Sequence, residues 1–280
     1  MDGKSKKLFM TSEINFLEKF GSNLSQNVKL SNYSWFNLGG NAEYFYKANS
    51  KDQLKQFLKE ANNKKLKITI LGAGSNTLFR DNGVRGVVVK LGKDFSYTKL
   101  INEKVLEVGA ATLDRKVANF AMENHIGNLE FLSCIPGSIG GAIIMNSGCY
   151  DNDISKVLLS IKVLDKNDYS EYEISKNDIK FYYRGTNLKD NLIILSARFK
   201  VSISKKFDIE KKQKALIERK KKAQPSQLKT CGSTFKNISK NIKAWKLIKE
   251  SGCENFKVGD ATISKKHCNF FVNNGKAKSS

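Results

Sequence analysis

Two glycine-rich segments carry the residue types and spacing that could hold a phosphorylated cofactor. The first follows the β-branched run 68–70 and consists of Gly72, Ala73, Gly74, Ser75, Asn76 and Thr77. Glycines let a backbone approach a pyrophosphate closely, and consecutive N–H groups can bind the anion without a charged side chain. The dinucleotide fingerprint would need a third glycine at the start of a helix, and residues 77–79 read Thr-Leu-Phe instead. A tight turn between two strands is the alternative interpretation.

The second segment is unusual because its glycines stand among apolar residues. One proline and three glycines fall within residues 135–141, which lead into the apolar run 142–145. This pattern predicts a buried loop whose backbone packs against a flat or phosphorylated group, although a buried hairpin bend has a similar composition. The candidate cofactor-binding residues here are Pro136, Gly137, Ser138, Gly140, Gly141, Asn146 and Gly148.

The spacing of the two segments indicates which cofactor they could share. They lie about 60 residues apart, each beside its own predicted α/β unit. This arrangement suits a dinucleotide clamped between two subdomains. We therefore expect FAD, with its pyrophosphate on backbone amides rather than at the N-terminus of a Rossmann helix.

Apolar periodicity and capping residues predict the elements that position these segments. Helices are predicted at residues 12–21, from 50 to about 61, from about 113 to 127, at 207–222 and at 242–251. Strands are predicted at 66–71, 87–91, 104–108, 157–165, 170–174, 192–203 and 268–272. Short strands mixed with few helices indicate an α+β fold rather than a regular doubly wound sheet.

Composition excludes several other classes of function. The 280 residues carry a formal charge of +22, but 43 of the 49 basic residues are lysines spread along the chain, whereas base-reading surfaces favour arginine. We therefore expect no nucleic-acid partner. Five cysteines without a C-x-x-C pair predict neither a disulfide framework nor a metal site. The apolar runs are too short to span a membrane, and no signal-peptide pattern is present, so we expect a cytoplasmic protein.

Several long motifs in order resemble the UDP-N-acetylenolpyruvoylglucosamine reductase family. They are NYSWFNLGGNAEYF (32–45), LGAGSNTLFRDNGVRGVVVKL (71–91), LEFLSCIPGSIGGAIIMNSGCY (129–150), FYYRGTNL (181–188), CGSTFKN (231–237) and AWKLIKESGCENFKVGDATISKKHCNFFVNNGKAKS (244–279). The resemblance implies a two-part FAD-binding domain of the vanillyl-alcohol-oxidase type and a smaller α+β C-terminal substrate domain. We expect the FAD domain at 1–203, with subdomains at about 1–100 and 101–203, and the substrate domain at 204–280.

The resemblance also implies the reaction and its residues. A family member is an FAD-containing, NADPH-dependent oxidoreductase that reduces UDP-N-acetylglucosamine enolpyruvate to UDP-N-acetylmuramate for peptidoglycan and cell-wall synthesis. Arg184 matches the family's catalytic arginine, and Ser233 matches its proton donor. Tyr183 and Asn237 match substrate-binding positions. The implied FAD is non-covalent, NADPH is the co-substrate, and the protein is expected to be a monomer that contacts neither membrane nor nucleic acid.

Two departures from the family pattern limit what the resemblance implies. The family's third catalytic residue is a glutamate near the C-terminus, and no glutamate follows Glu254, so we expect the sequence to be truncated. Ala223 stands nearest to the position of the lysine that grips the substrate diphosphate, with Lys222 displaced by one residue. The alternatives are another flavoprotein oxidoreductase of the same fold, or an inactive flavin-binding remnant.

Overall fold

Two larger sheets and a small C-terminal sheet organise the chain. The computed structural model describes residues 16–239 and 241–280. Its strands are β1 (Leu24–Lys29), β2 (Asn41–Ala48), β3 (Ile68–Leu71), β4 (Val84–Leu91), β5 (Thr98–Asn102), β6 (Val105–Gly109), β7 (Ile126–Gly127), β8 (Gly148–Cys149), β9 (Asn152–Asp153), β10 (Leu158–Asp165), β11 (Glu171–Ser175), β12 (Phe181–Tyr182), β13 (Gly185–Thr186), β14 (Leu192–Lys200), β15 (Ser202–Ile203), β16 (Lys257–Val258), β17 (Ala261–Ser264) and β18 (His267–Asn273). Its helices are α1 (Lys51–Asn63), α2 (Asp114–Glu123), α3 (Ile139–Ile144), α4 (Ile154–Val157), α5 (Lys206–Ala223) and α6 (Ala244–Glu250).

The first sheet delivers the chain into the first glycine segment. Its strand order is β1-β2-β4-β3, with β4 parallel to both β2 and β3. Helix α1 starts after Ser50, whose hydroxyl accepts a hydrogen bond from the Gln53 backbone N–H at 3.2 Å. The helix buries Leu54, Phe57 and Leu58 in the core beside this sheet. The crossover from β2 through α1 therefore returns the chain as β3, which ends at the first glycine segment.

The second sheet carries the approach to the second glycine segment. Its order is β11-β10-β14-β6-β5, and every neighbouring pair is antiparallel. Leu164 and Ile193 of this sheet share a buried cluster with Leu54 and Phe57 of α1. Apolar burial therefore holds the two sheets together, as the expected two-part FAD domain requires.

Helix α3 differs from the sequence prediction. Residues 135–141 were expected to form a buried loop, but the helix begins at Ile139 and runs to Ile144. Ile139, Ala142 and Ile143 follow the i, i+3, i+4 spacing of a helix face and are at most 2% exposed. The prediction of a loop is thus wrong from residue 139 onward, because burial of this apolar face favours a short helix.

The C-terminal residues form a separate sheet that is tied back to the rest of the chain. Strands β16, β17 and β18 are antiparallel in that order. Helix α5 leads towards them and is anchored on α2 by the Gln213 Nε2, which donates to the Ala118 carbonyl at 2.9 Å. The Asn273 Nδ2 donates to the Phe36 carbonyl at 3.0 Å. The expected boundary between residues 203 and 204 stays a prediction.

Two other sequence expectations concern the N-terminal helix and the possibility of membrane-spanning helices. Residues 16–20 are helical, and residues 12–15 of the helix predicted at 12–21 lie outside the described residues. Within the described ranges, no helix combines the length and apolar composition needed to cross a bilayer.

Candidate active site

The first glycine segment is shaped by backbone that comes within contact distance of it. Gly74 has φ +70°, and a Cβ there would lie 1.8 Å from the Tyr33 carbonyl oxygen. The Gly74 carbonyl accepts a hydrogen bond from the Trp35 N–H at 3.1 Å. The Lys90 Nζ donates to the Gly72 carbonyl at 2.6 Å. These hydrogen bonds engage the carbonyls of Gly72 and Gly74, and N–H groups of the same loop could face a ligand.

The second glycine segment runs beside the residues that follow β6. The Asp114 N–H donates to the Gly137 carbonyl at 3.1 Å, and the Ile139 N–H donates to the Thr112 carbonyl at 3.0 Å. A Cβ on Gly137 would lie 2.6 Å from the Asp114 Oδ2. The segment is therefore fixed along its backbone, and Gly137 must remain glycine to accommodate Asp114.

The structure brings the two glycine segments into contact. A Cβ added to Gly72 would lie only 2.7 Å from the Ser138 Oγ. Ser138 is 4% exposed and directly precedes α3. A flat or phosphorylated group could therefore rest on bare backbone from both segments at once, which fits FAD. Whether each predicted residue binds the cofactor stays a prediction.

Asn146 and Gly148 also make contacts that hold the structure around the second glycine segment. The Asn146 Nδ2 donates to the Tyr182 carbonyl at 3.2 Å, and its Oδ1 accepts from the Ser155 N–H at 3.1 Å. A Cβ on Gly148 would lie 2.3 Å from the Asn152 carbonyl oxygen across the β8–β9 pair. Asn146 thus links the end of the second glycine segment to the hairpin that carries Arg184.

Arg184 lies at the tip of the β12–β13 hairpin. Phe181 pairs with Thr186 and Tyr182 with Gly185, which leaves Tyr183 and Arg184 as the two turn residues. Arg184 has φ +60°, and its guanidinium carbon lies 5.2 Å from the centre of the Tyr183 ring. A left-handed backbone is uncommon for a residue other than glycine, so the main chain of this turn has a defined conformation, and the guanidinium lies beside the Tyr183 ring.

Ser233 lies on a segment that pairs with the edge of the C-terminal sheet. It forms a β-bridge with Phe270, and the Thr234 N–H donates to the Asn269 carbonyl at 2.8 Å. The Asn269 side chain also accepts from the Phe235 N–H at 3.0 Å and donates to the Phe235 carbonyl at 2.9 Å. The backbone around the exposed Ser233 hydroxyl is therefore held on both sides.

The Ser233 segment meets the Arg184 turn at two points. The Lys236 Nζ donates to the Arg184 carbonyl at 3.2 Å, and the Asn237 Nδ2 donates to the Tyr183 hydroxyl at 3.2 Å. The Asn237 Oδ1 also accepts from the Ala244 N–H, the first residue of α6, at 3.1 Å. The four residues predicted to act on the substrate, Tyr183, Arg184, Ser233 and Asn237, are thus brought into one neighbourhood.

Cys231 connects this neighbourhood to the first glycine segment and was not predicted as a site residue. Its Sγ donates to the Thr77 carbonyl at 3.4 Å and lies 3.9 Å from the Ser34 Oγ. Burial raises the pKa of the Cys231 thiol, which keeps it protonated and able to donate. The only signal in the sequence is its position two residues before Ser233, which does not reveal a contact with residues 150 positions earlier.

The structure shows where the lysines near the C-terminal end of α5 lie, one of which the sequence analysis considered for the substrate diphosphate. Ala223 is the last residue of α5, and Lys222 beside it is exposed. Lys220, one turn earlier, is largely buried and donates from its Nζ to the Cys134 carbonyl at 2.6 Å. Burial lowers the pKa of Lys220. The C-terminal end of α5 therefore lies against the start of the second glycine segment.

Comparisons with known proteins define first a class and then a family. Residues 42–168 match the family model described as an FAD binding domain, and residues 224–280 match the C-terminal domain of UDP-N-acetylenolpyruvoylglucosamine reductase. Together with the two joined sheets, these matches define an FAD-dependent oxidoreductase with a two-part flavin domain.

Individual relatives identify the family. The chain is 44% identical over 267 residues to the UDP-N-acetylenolpyruvoylglucosamine reductase of Pelagibacter ubique, covering 93% of this chain and 88% of that one. It is 42% identical over 253 residues to the Wolbachia pipientis protein of the same name, covering 90% and 84%. The chain therefore belongs to the UDP-N-acetylenolpyruvoylglucosamine reductase family, as the motifs predicted.

Solved structures agree with this assignment. The fold matches the crystal structure of UDP-N-acetylenolpyruvylglucosamine reductase from Thermus caldophilus with a TM-score of 0.80 and 30% identity, over 90% of this chain and 89% of that one. An alkyldihydroxyacetonephosphate synthase matches with a TM-score of 0.50 and 14% identity, over 68% of this chain and 40% of that one. The second likeness concerns the fold alone.

Proposed function

We propose that this chain reduces UDP-N-acetylglucosamine enolpyruvate to UDP-N-acetylmuramate with NADPH, in the cytoplasm, as a step of peptidoglycan precursor synthesis. The proposal is supported most directly by the meeting of the Ser233 segment with the Arg184 turn, through Lys236 and Asn237. Family membership adds the name of the reaction that the relatives carry. We further propose that the protein acts as a monomer.

The two glycine segments would hold FAD without a covalent bond. Bare backbone at Gly72 faces Ser138, and Gly74 leaves no room for a side chain, so N–H groups rather than side chains would contact the pyrophosphate. When bound, the flavin supplies hydride transfer from NADPH to the vinyl carbon of the enolpyruvyl group. The residues of this chain must orient the substrate and manage the charge and proton that accompany that transfer.

Arg184 would stabilise the negative charge that develops beside the substrate carboxylate. A guanidinium can donate two hydrogen bonds to a carboxylate in one plane, and this interaction strengthens as enolate character develops. The guanidinium lies beside the Tyr183 ring at the tip of the hairpin, where a substrate carboxylate could meet it.

Ser233 would donate the proton that completes the reduction. A hydroxyl is a weak acid, but an enolate carbon is basic enough to take its proton when the two are held close. The β-bridge to Phe270 and the Asn269 contacts fix the backbone on which the hydroxyl stands. Asn237 would contact the nucleotide part of the substrate, and Tyr183 would line the site.

The reaction has two half-reactions, flavin reduction by NADPH and flavin reoxidation by the enolpyruvyl substrate. Measuring them separately distinguishes the role of Ser233 from that of the flavin site. In Ser233→Ala, we expect NADPH to bleach the flavin absorbance at a normal rate, because no proton donor is needed in that step. Reoxidation by the enolpyruvyl substrate should slow by about 10²- to 10⁴-fold, the usual contribution of a general acid. Anaerobic stopped-flow absorbance measures both steps.

Ser226→Ala is the matched control for this experiment. Ser226 is an exposed serine in the loop that precedes the same segment, so its removal should leave both half-reactions unchanged. If Ser233→Ala slows both half-reactions equally, or slows neither, Ser233 is not the proton donor. A wild-type protein that is reduced by NADPH but never reoxidised by the enolpyruvyl substrate would contradict the proposed reaction itself.

A further inference from the structure

The side chain of Asn273 joins two parts of the chain that are distant in sequence. Asn273 is the last residue of β18 and is 3% exposed. Its Nδ2 donates to the carbonyls of Phe36 at 3.0 Å and Asn37 at 3.2 Å. Its Oδ1 accepts from the N–H groups of Gly275 at 3.0 Å and Ala277 at 3.1 Å. The carboxamide therefore uses both of its donors on one side and both acceptor positions on the other.

The turn that receives this amide lies against the first glycine segment. The Asn37 N–H donates to the Ser34 carbonyl at 2.9 Å, which closes a turn over residues 34–37. Within this turn, the Trp35 N–H donates to the Gly74 carbonyl at 3.1 Å. An element that is hydrogen-bonded to this turn is therefore fixed relative to the first glycine segment.

The strand that ends at Asn273 carries the Ser233 segment beside it. The Asn273 N–H donates to the Lys229 carbonyl at 3.0 Å. Ser233 forms its β-bridge with Phe270, which precedes Asn273 by three residues, or about 10 Å along a strand. Because the segment is held along the strand on this side of Ser233, a shift of the strand moves the serine hydroxyl with it.

We propose that Asn273 is a positioning residue for the reduction: it docks the C-terminal sheet on the 34–37 turn and thereby sets the position of Ser233 relative to the first glycine segment. The docking itself is independent of the protein's activity. Its effect on proton donation rests on the proposed function of Ser233.

Other contacts between these two parts of the chain are polar as well. The Cys231 Sγ donates to the Thr77 carbonyl at 3.4 Å, and the Ser279 N–H donates to the Asp81 carboxylate at 3.0 Å. Polar interfaces within one chain allow relative motion more readily than large apolar ones. Asn273 supplies two hydrogen bonds from a buried amide, whose partners cannot exchange freely with water. We therefore expect its loss to loosen the docking most.

The variant Asn273→Asp separates the two sides of the amide. A carboxylate of the same shape can still accept from the two N–H groups that follow it, but it cannot donate to the two carbonyls of the turn. Asn274→Asp is the matched control, because this neighbouring side chain is exposed and donates to the Thr262 Oγ1 at 2.8 Å within the C-terminal sheet. Both variants add the same charge, and only the first removes the docking bonds.

Hydrogen–deuterium exchange of the purified full chain tests the docking without reference to activity. In Asn273→Asp, amides at residues 33–37 and 229–235 should exchange about tenfold faster than in the wild type, because two hydrogen bonds are lost. Asn274→Asp should exchange as the wild type does. Unchanged exchange in both ranges overturns the proposal. Should circular dichroism show that Asn273→Asp does not fold, Asn273→Ser gives the same test, since a serine hydroxyl is uncharged and carries a single donor.

Half-reaction kinetics test the effect on Ser233. Flavin reduction by NADPH needs no proton from Ser233, so Asn273→Asp should keep the wild-type rate in that step. Reoxidation at a saturating concentration of the enolpyruvyl substrate should slow by about ten- to a hundredfold, because a small misplacement of a reacting group has a cost of this size. The solvent deuterium isotope effect on reoxidation should increase as proton transfer becomes slower.

The possible outcomes distinguish this inference from the proposed function. Equal slowing of both half-reactions, no slowing, or slower reoxidation with an unchanged isotope effect would each show that Asn273 does not position Ser233. A wild-type protein that the enolpyruvyl substrate never reoxidises contradicts the proposed function instead. The exchange measurement then still decides whether Asn273 docks the C-terminal sheet on the 34–37 turn.

Discussion

At the scale of single residues, Asp114 is the least expected feature of the site. Its side chain is fully buried at the start of α2, and neither carboxylate oxygen has a hydrogen-bond partner of normal geometry. Burial raises the pKa of Asp114 well above its usual range, and the backbone of Gly137 opposes only part of that rise. Burial therefore favours the neutral form of this carboxyl, which lies beside Gly137 of the second glycine segment.

This raised pKa has a defined effect on stability. The unfolded chain loses the Asp114 proton near pH 4, while the folded chain keeps it to a higher pH. Above about pH 4 the folded state therefore binds more protons, and the free energy of unfolding falls as the pH rises towards the folded pKa. Asp114→Asn keeps the shape and removes the titration. We expect it to be more stable than the wild type at pH 8 by about 1 kcal/mol or more.

Urea denaturation at pH 5, 6, 7 and 8 measures this difference. The wild type should lose more stability than Asp114→Asn across the series, and the curves should converge at low pH. Asp94→Asn, at an exposed aspartate, should follow the wild type. Equal slopes for Asp114→Asn and the wild type would mean that the buried carboxyl is ionised and stabilised by a partner.

At the scale of elements, the sequence predicts long segments with regular apolar periodicity well, and it predicts very short paired strands poorly. The helix near residues 207–222 and the strand near 157–165 match α5 and β10 to within one residue at each end. By contrast, the β12–β13 hairpin that carries Arg184 has only two residues in each strand. Such short strands exist because of tertiary contacts, here the hydrogen bond from Asn146 to Tyr182, and no local pattern encodes them.

The candidate site shows the same contrast. Residues that belong to a local pattern or motif were predicted, whereas residues defined by contacts distant along the chain were not. Both glycine segments were predicted as cofactor-binding from composition, because backbone that must approach a neighbour closely excludes side chains. Arg184 and Ser233 were predicted only from motifs that match the family, and their catalytic roles stay predictions. Cys231 and Asp114 were missed, because their roles depend on contacts with Thr77 and Gly137, which are distant along the chain.

The first glycine segment provides a matched pair of backbone tests. Gly74 and Gly252 both have φ +70°, but a Cβ on Gly74 would lie 1.8 Å from the Tyr33 carbonyl oxygen, while nothing lies within 4 Å of one on Gly252. Gly252→Ala should cost only the left-handed strain, about 1 kcal/mol. Gly74→Ala must also displace backbone, so it should cost about 3 kcal/mol or more.

Flavin content distinguishes the two variants further. Because Gly74 belongs to the predicted pyrophosphate-binding loop, Gly74→Ala should also be purified with much less FAD, whereas Gly252→Ala should retain it. Denaturant titration and the ratio of flavin to protein absorbance measure both effects. Equal destabilisation and equal flavin content in the two variants would show that the Tyr33 contact relaxes and that this loop does not determine cofactor binding.

At the scale of the whole molecule, the net charge of +22 suits anionic ligands. NADPH and the UDP-linked substrate of the proposed reaction both carry phosphates, and a positive molecule attracts them over a range set by the Debye length, about 10 Å at 0.1 M salt. The lysines are spread along the chain rather than grouped in one motif, so this attraction belongs to the overall field. This attraction should change the rate at which the ligands encounter the protein more than it changes the rate of the chemical step.

Steady-state kinetics at increasing sodium chloride tests this long-range attraction. Between about 0.02 and 0.3 M salt, we expect kcat/KM for both ligands to fall by about fivefold, because screening slows the encounter of opposite charges. The kcat should change much less, since bound charges at short distance are screened weakly. Sucrose at equal osmolality is the control and should leave kcat/KM unchanged after correction for viscosity. A kcat/KM independent of salt would mean that the lysine charge serves solubility or another partner rather than these nucleotides.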